Sequence, residues 1–242
     1  MFAWAFLLYS GYQMYHADDN HTESHLLIEL QALLDVFVKA PDQHELEISV
    51  GRRSCDDYVS GVDFAYFKHV VESLTRTCGT PHSEYSLWRP FPIQHFMTTL
   101  FSNGVRTRTD EKSDIEKIYK KTLYCIEVSV RDSPFMLRFK VSTEAATDDQ
   151  VDNVVHVRLQ ERWRYFYEAQ WSYELTKVMS GSTYEEALAS TPTFEFELEV
   201  QGDDTVSPEV LLNRGLDLIG RYNTDGSQRP QQIAQFSVLL KT

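Results

Sequence analysis

Cysteine is scarce in this chain: three residues in 242, Cys55, Cys78 and Cys125, an odd count with no C-x-x-C pair. That excludes a disulfide framework and a cysteine-based zinc site, and it makes a reducing, intracellular compartment the default. Positive charge is scarce as well. Lys and Arg number 23 against 36 Asp and Glu, giving a formal net charge of −13 and a pI near 5.0. Proteins that grip long stretches of nucleic-acid backbone do so by releasing counterions from a basic surface. DNA is therefore not an expected partner, and any RNA contact should be confined to a small, locally basic pocket. Long apolar runs are missing too. The N-terminal run Phe2 to Leu8 has no basic flank and falls far short of the roughly 20 residues of a membrane span. It is expected to pack on the core as a strand or helix, with no membrane partner and no secretion. The sequon Asn20-His21-Thr22 is then a chance match.

What the chain does have is core material: 42% hydrophobic and 13% aromatic residues, enough for one sizeable domain. Apolar positions recur at helical spacing over 23–39 (Leu26, Leu27, Leu30, Leu33, Leu34, Phe37), and Pro41 closes that helix. A second helix is expected from about Val62 to Thr77, stopping near Gly79. Strand-like alternation fills 45–50, 93–101, 105–109, 117–131, 135–144, 154–167, 171–178 and 193–200. Ser102-Asn103-Gly104 reads as a hairpin turn between two of these. Ser207-Pro208 supplies an N-cap and a first-turn proline for an amphipathic helix to about Arg221, and a turn-rich stretch follows from Asn223 to Arg229.

About eight strands with a few helices predict an α+β, mainly β fold: a closed eight-stranded antiparallel barrel with helices packed outside. The expected layout is one domain over 1–242, with a helical segment over 1–43, the barrel over about 44–200, and a C-terminal helix and tail over 205–242.

Side chains alternate faces along a strand, so residue parity reads the two sides of a sheet. In Phe194-Glu195-Phe196-Glu197-Leu198-Glu199-Val200 the glutamates share one face and the apolar residues the other, and Glu45-Leu46-Glu47-Ile48 repeats the pattern. Other strands carry the opposite sign. Arg106 pairs with Arg108, Arg138 and Lys140 share a face with Ser142 and Glu144, and His156, Arg158, Gln160, Arg162 and Arg164 form a long basic ladder. Each polar face could simply be solvated, as on any half-exposed antiparallel sheet. A solvated face, however, normally mixes signs to avoid like-charge repulsion. Here the sign is segregated by strand, and the opposite faces carry large apolar residues that need cover from helices. The charged faces are therefore expected to point into the barrel. Glutamates converging on one wall call for divalent cations, and an all-oxygen set suits Mg²⁺ or Mn²⁺. Guanidinium and ammonium groups opposite suit an oligophosphate. Together these describe a site for phosphoryl transfer.

The two acidic strands, ELEISVG and FEFELEV in that order, resemble those of the triphosphate tunnel metalloenzymes. More narrowly, they resemble the metal-dependent RNA 5′-triphosphatases of fungal, protist and large-DNA-virus mRNA capping. LRFKVSTE over 137–144 is similar to that family's strand ending in an essential glutamate, here Glu144. VRLQERWRYFYEAQWSYELTKV over 157–178 is similar to its basic strand and the hairpin that follows. The likeness spans about residues 44 to 200. It implies that Glu45, Glu47, Glu195, Glu197 and Glu199 line a floor for Mg²⁺ or Mn²⁺, and that Arg106, Arg138, Arg158 and Arg162 hold the phosphates. Lys121 or Lys120, with Lys140 and Arg164, would add substrate contacts. Glu144 would orient or deprotonate the attacking water, Glu174 would keep a carboxylate role, and Thr176 would hydrogen-bond within the lumen. The implied reaction is hydrolysis of the β–γ phosphoanhydride at the 5′-triphosphate end of RNA, the first step of cap formation. NTPs and tripolyphosphate are further candidate substrates. The chain departs from the family where Gln160 replaces a usual lysine and Ser172 a usual arginine.

Cap formation would need a separate guanylyltransferase, because the Lys-x-Asp-Gly nucleotidyl-transfer motif is missing: Asn223 stands where its lysine would precede Asp225-Gly226. The nucleus is the expected location if capping occurs there, or the cytoplasm if the source is viral. Two alternatives stand beside this reading, a general tripolyphosphatase or NTPase with the same lumen, and a non-catalytic anion-binding barrel or scaffold. Lesser signals have plainer explanations. Cys125-x5-Arg131 has cysteine-phosphatase spacing, but the residues between contain no glycine and alternate like a strand. His21 and His25 lie one helical turn apart without a third ligand, His156 falls near a rim, and Trp163 and Trp171 fall on the apolar parity of their strands.

Overall fold

The computed structural model describes residues 12–16, 22–54, 57–78, 88–111, 115–131, 133–167, 170–200, 206–220 and 233–239. The apolar run at 2–8, the sequon asparagine Asn20, His21, Cys55 and the stretch 223–229 lie outside them. The strands are β1 (Tyr12–His16), β2 (His44–Ser54), β3 (Asp57–Ser60), β4 (Trp88–Pro90), β5 (Gln94–Phe101) and β6 (Val105–Asp110). They continue with β7 (Ile115–Val130), β8 (Phe135–Ala146), β9 (Val154–Tyr167), β10 (Trp171–Gly181), β11 (Thr193–Val200) and β12 (Ile233–Leu239). The helices are α1 (Thr22–Phe37), α2 (Phe64–Thr77), α3 (Tyr184–Ala189) and α4 (Pro208–Gly220).

Eight strands follow one another around a barrel in the order β7-β6-β5-β9-β10-β11-β2-β8. Closure comes from β8, which pairs antiparallel with β2 on one side and with β7 on the other. The eight expected strands are the eight of the barrel. The turn at Ser102-Asn103-Gly104 joins β5 to β6, and Gly104 takes a left-handed φ of 84° that suits glycine there. Four short strands and one short helix were not expected. β1 pairs with β12, β12 extends the sheet from β7, β3 extends it from the end of β2, and β4 pairs with the end of β9. The segment expected to be helical over 1–43 thus carries a strand before α1, and the tail past 205 carries β12 beyond α4.

The core lies between the outer face of the barrel and the helices. Leu46, Ile48 and Val50 of β2, Leu137, Phe139 and Val141 of β8, and Phe196 and Leu198 of β11 all point outward and are buried. α1 packs on β2 and β8 with the stripe Leu26, Leu30, Leu33, Leu34 and Phe37, which recurs at three- and four-residue steps, while α2 packs on β11. Each such fully buried side chain contributes about 1.5–3 kcal/mol relative to exposure. Asp63 opens α2 by accepting from the Tyr66 backbone N–H at 2.8 Å. The helix then buries Tyr66, Phe67, Val70 and Leu74, and the Tyr66 hydroxyl donates to the Leu218 carbonyl of α4. Trp171 is buried in this core and Trp163 packs against its edge, as their parity implied. Cys125 is buried within strand β7.

α4 approaches the barrel closely at Gly215, where a Cβ would lie 2.8 Å from the Phe139 ring and 3.1 Å from Leu137. Gly215→Val should therefore lower stability by about 1–3 kcal/mol through overpacking. Thermal unfolding measures this, and an unchanged midpoint would show that α4 does not seat on β8 as described.

Candidate active site

The inward face of the barrel is built by parity. On β2 it carries Glu45, Glu47, Ser49 and Gly51, and on β11 Glu195, Glu197 and Glu199. Adjacent-strand register puts Glu199 directly opposite Glu47 on β2, and Glu197 opposite Glu174 on β10. Like charges directly opposite one another repel and destabilise a sheet unless something neutralises them. The neutralising groups come from the other walls. Lys140 of β8 meets Glu47 at 2.5 Å. Lys120 of β7 pairs with Glu45 and lies 3.6 Å from Glu47 and 3.0 Å from Glu144. Arg162 and Arg164 of β9 both pair with Glu174, and Arg158 meets Glu195 at 2.6 Å. Thr176, fully buried, accepts from Arg162 Nε at 3.1 Å.

A cavity of about 130 Å³ lies at the centre, lined by Glu45, Glu47, Glu174, Glu197 and Glu199 with Arg106, Lys120, Lys140 and Arg162. A larger, mostly apolar hollow of about 360 Å³ is lined in part by Met97, Leu159, Met179 and Tyr184, and it gathers no comparable set of charges.

The carboxylates of this cavity differ in ionisation. Burial, with Glu47 and Glu195 nearby, pushes Glu197 up to about 8. Burial and the neighbouring Glu174 push Glu199 up to about 9. Glu45 is raised too, chiefly by burial and against the pull of Lys120. Burial also works against ionising Glu47 and Glu174, but Lys140 and Lys120 hold the first below its ordinary value, and Arg162 and Arg164 hold the second. Burial disfavours charge on Arg162 as well, yet Glu174 and the three β11 glutamates hold its pKa above the ordinary value.

Most of the residues singled out from sequence therefore share one lumen, with three differences of placement. Lys121 does not face inward. Between Thr122 and Tyr124 the β7–β8 register slips by one residue, so Leu123 is an extra residue that reverses parity along β7. Cys125 and Glu127 face inward above the bulge, Lys120 does so below it, and Lys121 is exposed on the outer side. Arg138 stands apart from the central cavity, held by buried Glu127, whose Oε1 accepts from its Nε at 3.1 Å and Nη2 at 2.6 Å. Glu144 sits toward the rim with its side chain 38% exposed. Gln160 accepts from Thr98 at 2.7 Å, and Ser172 lies 3.4 Å from Glu174. Sequence reasoning placed Arg108 on an inward basic face without a role; it stacks at 4.3 Å on inward-facing Phe96, which was passed over, with Arg162 on the same ring at 4.9 Å. Glu127 and Tyr58 were also passed over.

As the side chains stand, no three His, Cys, Asp or Glu groups among the described residues close on one point as metal ligands do. Lys120 and Lys140 occupy Glu45 and Glu47 instead. The donor chemistry still fits a hard divalent cation: it is all oxygen, and Glu197 and Glu199 are crowded enough to hold their protons near neutrality. Ser142 Oγ, on the strand position opposite Glu45, and Arg164 Nε are buried without hydrogen-bond partners among the described residues.

By sequence, the chain matches neither a protein-family model nor a curated protein. Solved structures do match. The RNA triphosphatase Pct1 of S. pombe is 14% identical, over 84% of this chain and 85% of that one, with a TM-score of 0.59. Pct1 in complex with the Spt5 CTD gives 13% identity over 86% and 89%, again at 0.59. The RNA triphosphatase domain of a trifunctional mimivirus mRNA capping enzyme is 12% identical over 80% and 96%, at 0.54. The chain thus shares the closed-barrel fold of these RNA triphosphatases, as the resemblance in its strands implied.

Glu197 and Glu199 ionise less readily in the folded chain than unfolded, so their contribution to stability is full below about pH 4.5 and is lost as pH rises through about 8 and 9. In the presence of a chelator the melting temperature should fall between about pH 6 and about pH 9, and Glu197→Gln should flatten that fall. A wild-type midpoint that stays level across the range would contradict the crowding of these carboxylates.

Proposed function

We propose that the protein is a metal-dependent polynucleotide 5′-triphosphatase that removes the γ-phosphate from the 5′ end of nascent mRNA. One observation carries the reading: within a fold shared with RNA triphosphatases, this chain's own lumen sets carboxylates of β2, β10 and β11 against cations of β6, β7, β8 and β9. Arg106, Lys120, Lys140 and Arg162 line the cavity together and would receive phosphate oxygens, with Arg158 and Arg164 beside them on β9. Glu144, near the rim and in reach of Lys120, would hold the attacking water and take its proton. The bond between the γ-phosphorus and the β–γ bridging oxygen breaks, leaving orthophosphate and a diphosphate end whose growing charge the arginines stabilise. Mg²⁺ or Mn²⁺, held among Glu45, Glu47, Glu195, Glu197 and Glu199, would neutralise phosphate charge and polarise its oxygens.

The size of the cavity favours a broad substrate range within this reading. A cavity of about 130 Å³ lined by charged groups suits phosphates, and RNA ends, NTPs and tripolyphosphate all present the same triphosphate to it. A separate guanylyltransferase would complete the cap, in the nucleus or wherever a viral transcript is capped.

The test is phosphate release from γ-labelled triphosphate-ended RNA, ATP and tripolyphosphate, with Mn²⁺ or Mg²⁺ and with chelator. Release should require the cation, and Glu197→Ala should lower it by roughly 100-fold or more, on the scale of losing a major electrostatic group. No release from any of the three rejects the proposal and leaves a non-catalytic barrel, and turnover indifferent to chelator and to Glu197→Ala rejects the metal-dependent site described here.

A further inference from the structure

At the end of the tunnel marked by Ser49, Gly51, Glu127 and Arg138, an aromatic ring closes against the guanidinium of Arg138. Tyr58 is buried, and its hydroxyl donates to Ser49 Oγ at 2.9 Å. The Arg138 guanidinium carbon lies 3.8 Å from the centre of its ring. The β2–β3 register explains the placement. Tyr58 sits opposite Arg53, two residues beyond Gly51 on β2, so it takes the same inward parity. Gly51 makes the space, since a Cβ there would meet the Tyr58 ring at 2.5 Å.

The same guanidinium is held along one edge by Glu127 through Nε and Nη2. One face is therefore stacked and one edge tied, while Nη1 has no hydrogen-bond partner among the described residues. A flexible four-torsion side chain is fixed in plane and in rotation before any ligand arrives, so less entropy is lost on binding. Glu127 alone would set the edge but leave the plane free to tip.

We propose that Tyr58 is a positioning residue for Arg138, fixing the guanidinium one inward position along β8 from cavity-lining Lys140 so that its remaining edge meets the end of a phosphate chain seated in that cavity. The inference rests on the triphosphatase reading above. It departs from a purely structural plug in one respect: the effect of Tyr58 must pass through Arg138.

The experiment compares wild type with Tyr58→Leu, Tyr58→Met, Tyr58→Phe, Arg138→Met and the Tyr58→Leu/Arg138→Met double variant. Steady-state turnover of tripolyphosphate with Mn²⁺ is measured beside calorimetric binding of tripolyphosphate with Ca²⁺ in place of Mn²⁺. Leu and Met should raise KM, and weaken calorimetric affinity, by roughly tenfold with kcat within about threefold, the scale expected for a partly desolvated cation–π contact. Phe, which keeps the ring, should restore most of the affinity. Arg138→Met should lose affinity by itself, and Tyr58→Leu should add nothing to it. Losses that multiply in the double variant, an equal fall in kcat at constant KM, or loss of fold together with activity in both Leu and Met variants would each overturn the inference. A wild-type protein that binds tripolyphosphate without releasing phosphate would overturn the triphosphatase reading instead, and the calorimetric pattern would still decide on Tyr58.

Discussion

Glu47 faces Glu199 across one strand pair, and Glu174 faces Glu197 across the next. On an open sheet this would be a poor arrangement, since directly opposed like charges repel and neither strand offers a counterion. It persists here because the flanking strands supply the counterions: Glu47 stands directly opposite Lys140 on β8, and Glu174 directly opposite Arg164 on β9. β8 pairs with both β2 and β7, bringing Lys140 and Lys120 to the very carboxylates that β11 crowds. Arg162 and Arg164 do the same for Glu174 from β9. The neutralising groups lie on strands flanking the acidic ones, so the ion pairs need β9, β10, β11, β2, β8 and β7 in register together.

The outer face of the same strands fixes the register. Leu46, Ile48, Phe196 and Leu198 alternate with the acidic residues and are buried under helices. A slip of one residue in β2 or β11 would carry glutamates into that core and apolar side chains into the lumen. Burying an unpaired carboxylate costs several kcal/mol, so the correct register is strongly selected. Helices α1, α2 and α4 thus matter to the chemistry without touching it. Their apolar stripes hold in place the alternation that points Glu197 inward.

This alternation is also what made the fold and much of the lumen legible in the sequence. Long strands with clean period-two patterns, such as 154–167 and 193–200, announce both their existence and their faces. Two kinds of information were not there to be read. Short strands on the sheet margins, such as Asp57–Ser60 and Trp88–Pro90, carry too few residues for a period to show, and so Tyr58 went unnoticed. The bulge at Leu123 is invisible to parity counting, because an extra residue changes the face of everything beyond it without altering composition. Lys120 and Lys121 are adjacent in sequence, and only the paired strand decides between them. Phe96 was missed for a related reason: an apolar residue on a polar face looks like noise until Arg108 and Arg162 are seen stacked on its ring.

The ion pairs themselves constrain how the lumen could be filled. Lys120 and Lys140 are engaged by Glu45 and Glu47, and Arg162 and Arg164 by Glu174. A polyanion entering alone would draw these cations away and leave buried carboxylates with nothing to offset them, at a penalty comparable to breaking a buried pair. A divalent cation entering alone would take the carboxylates and strand the lysines and arginines in turn. Only the two together exchange every partner for another of the same sign. On the proposed reading, affinity for a triphosphate and affinity for the metal are therefore coupled by the charges of the lumen itself, and each should strengthen the other reciprocally.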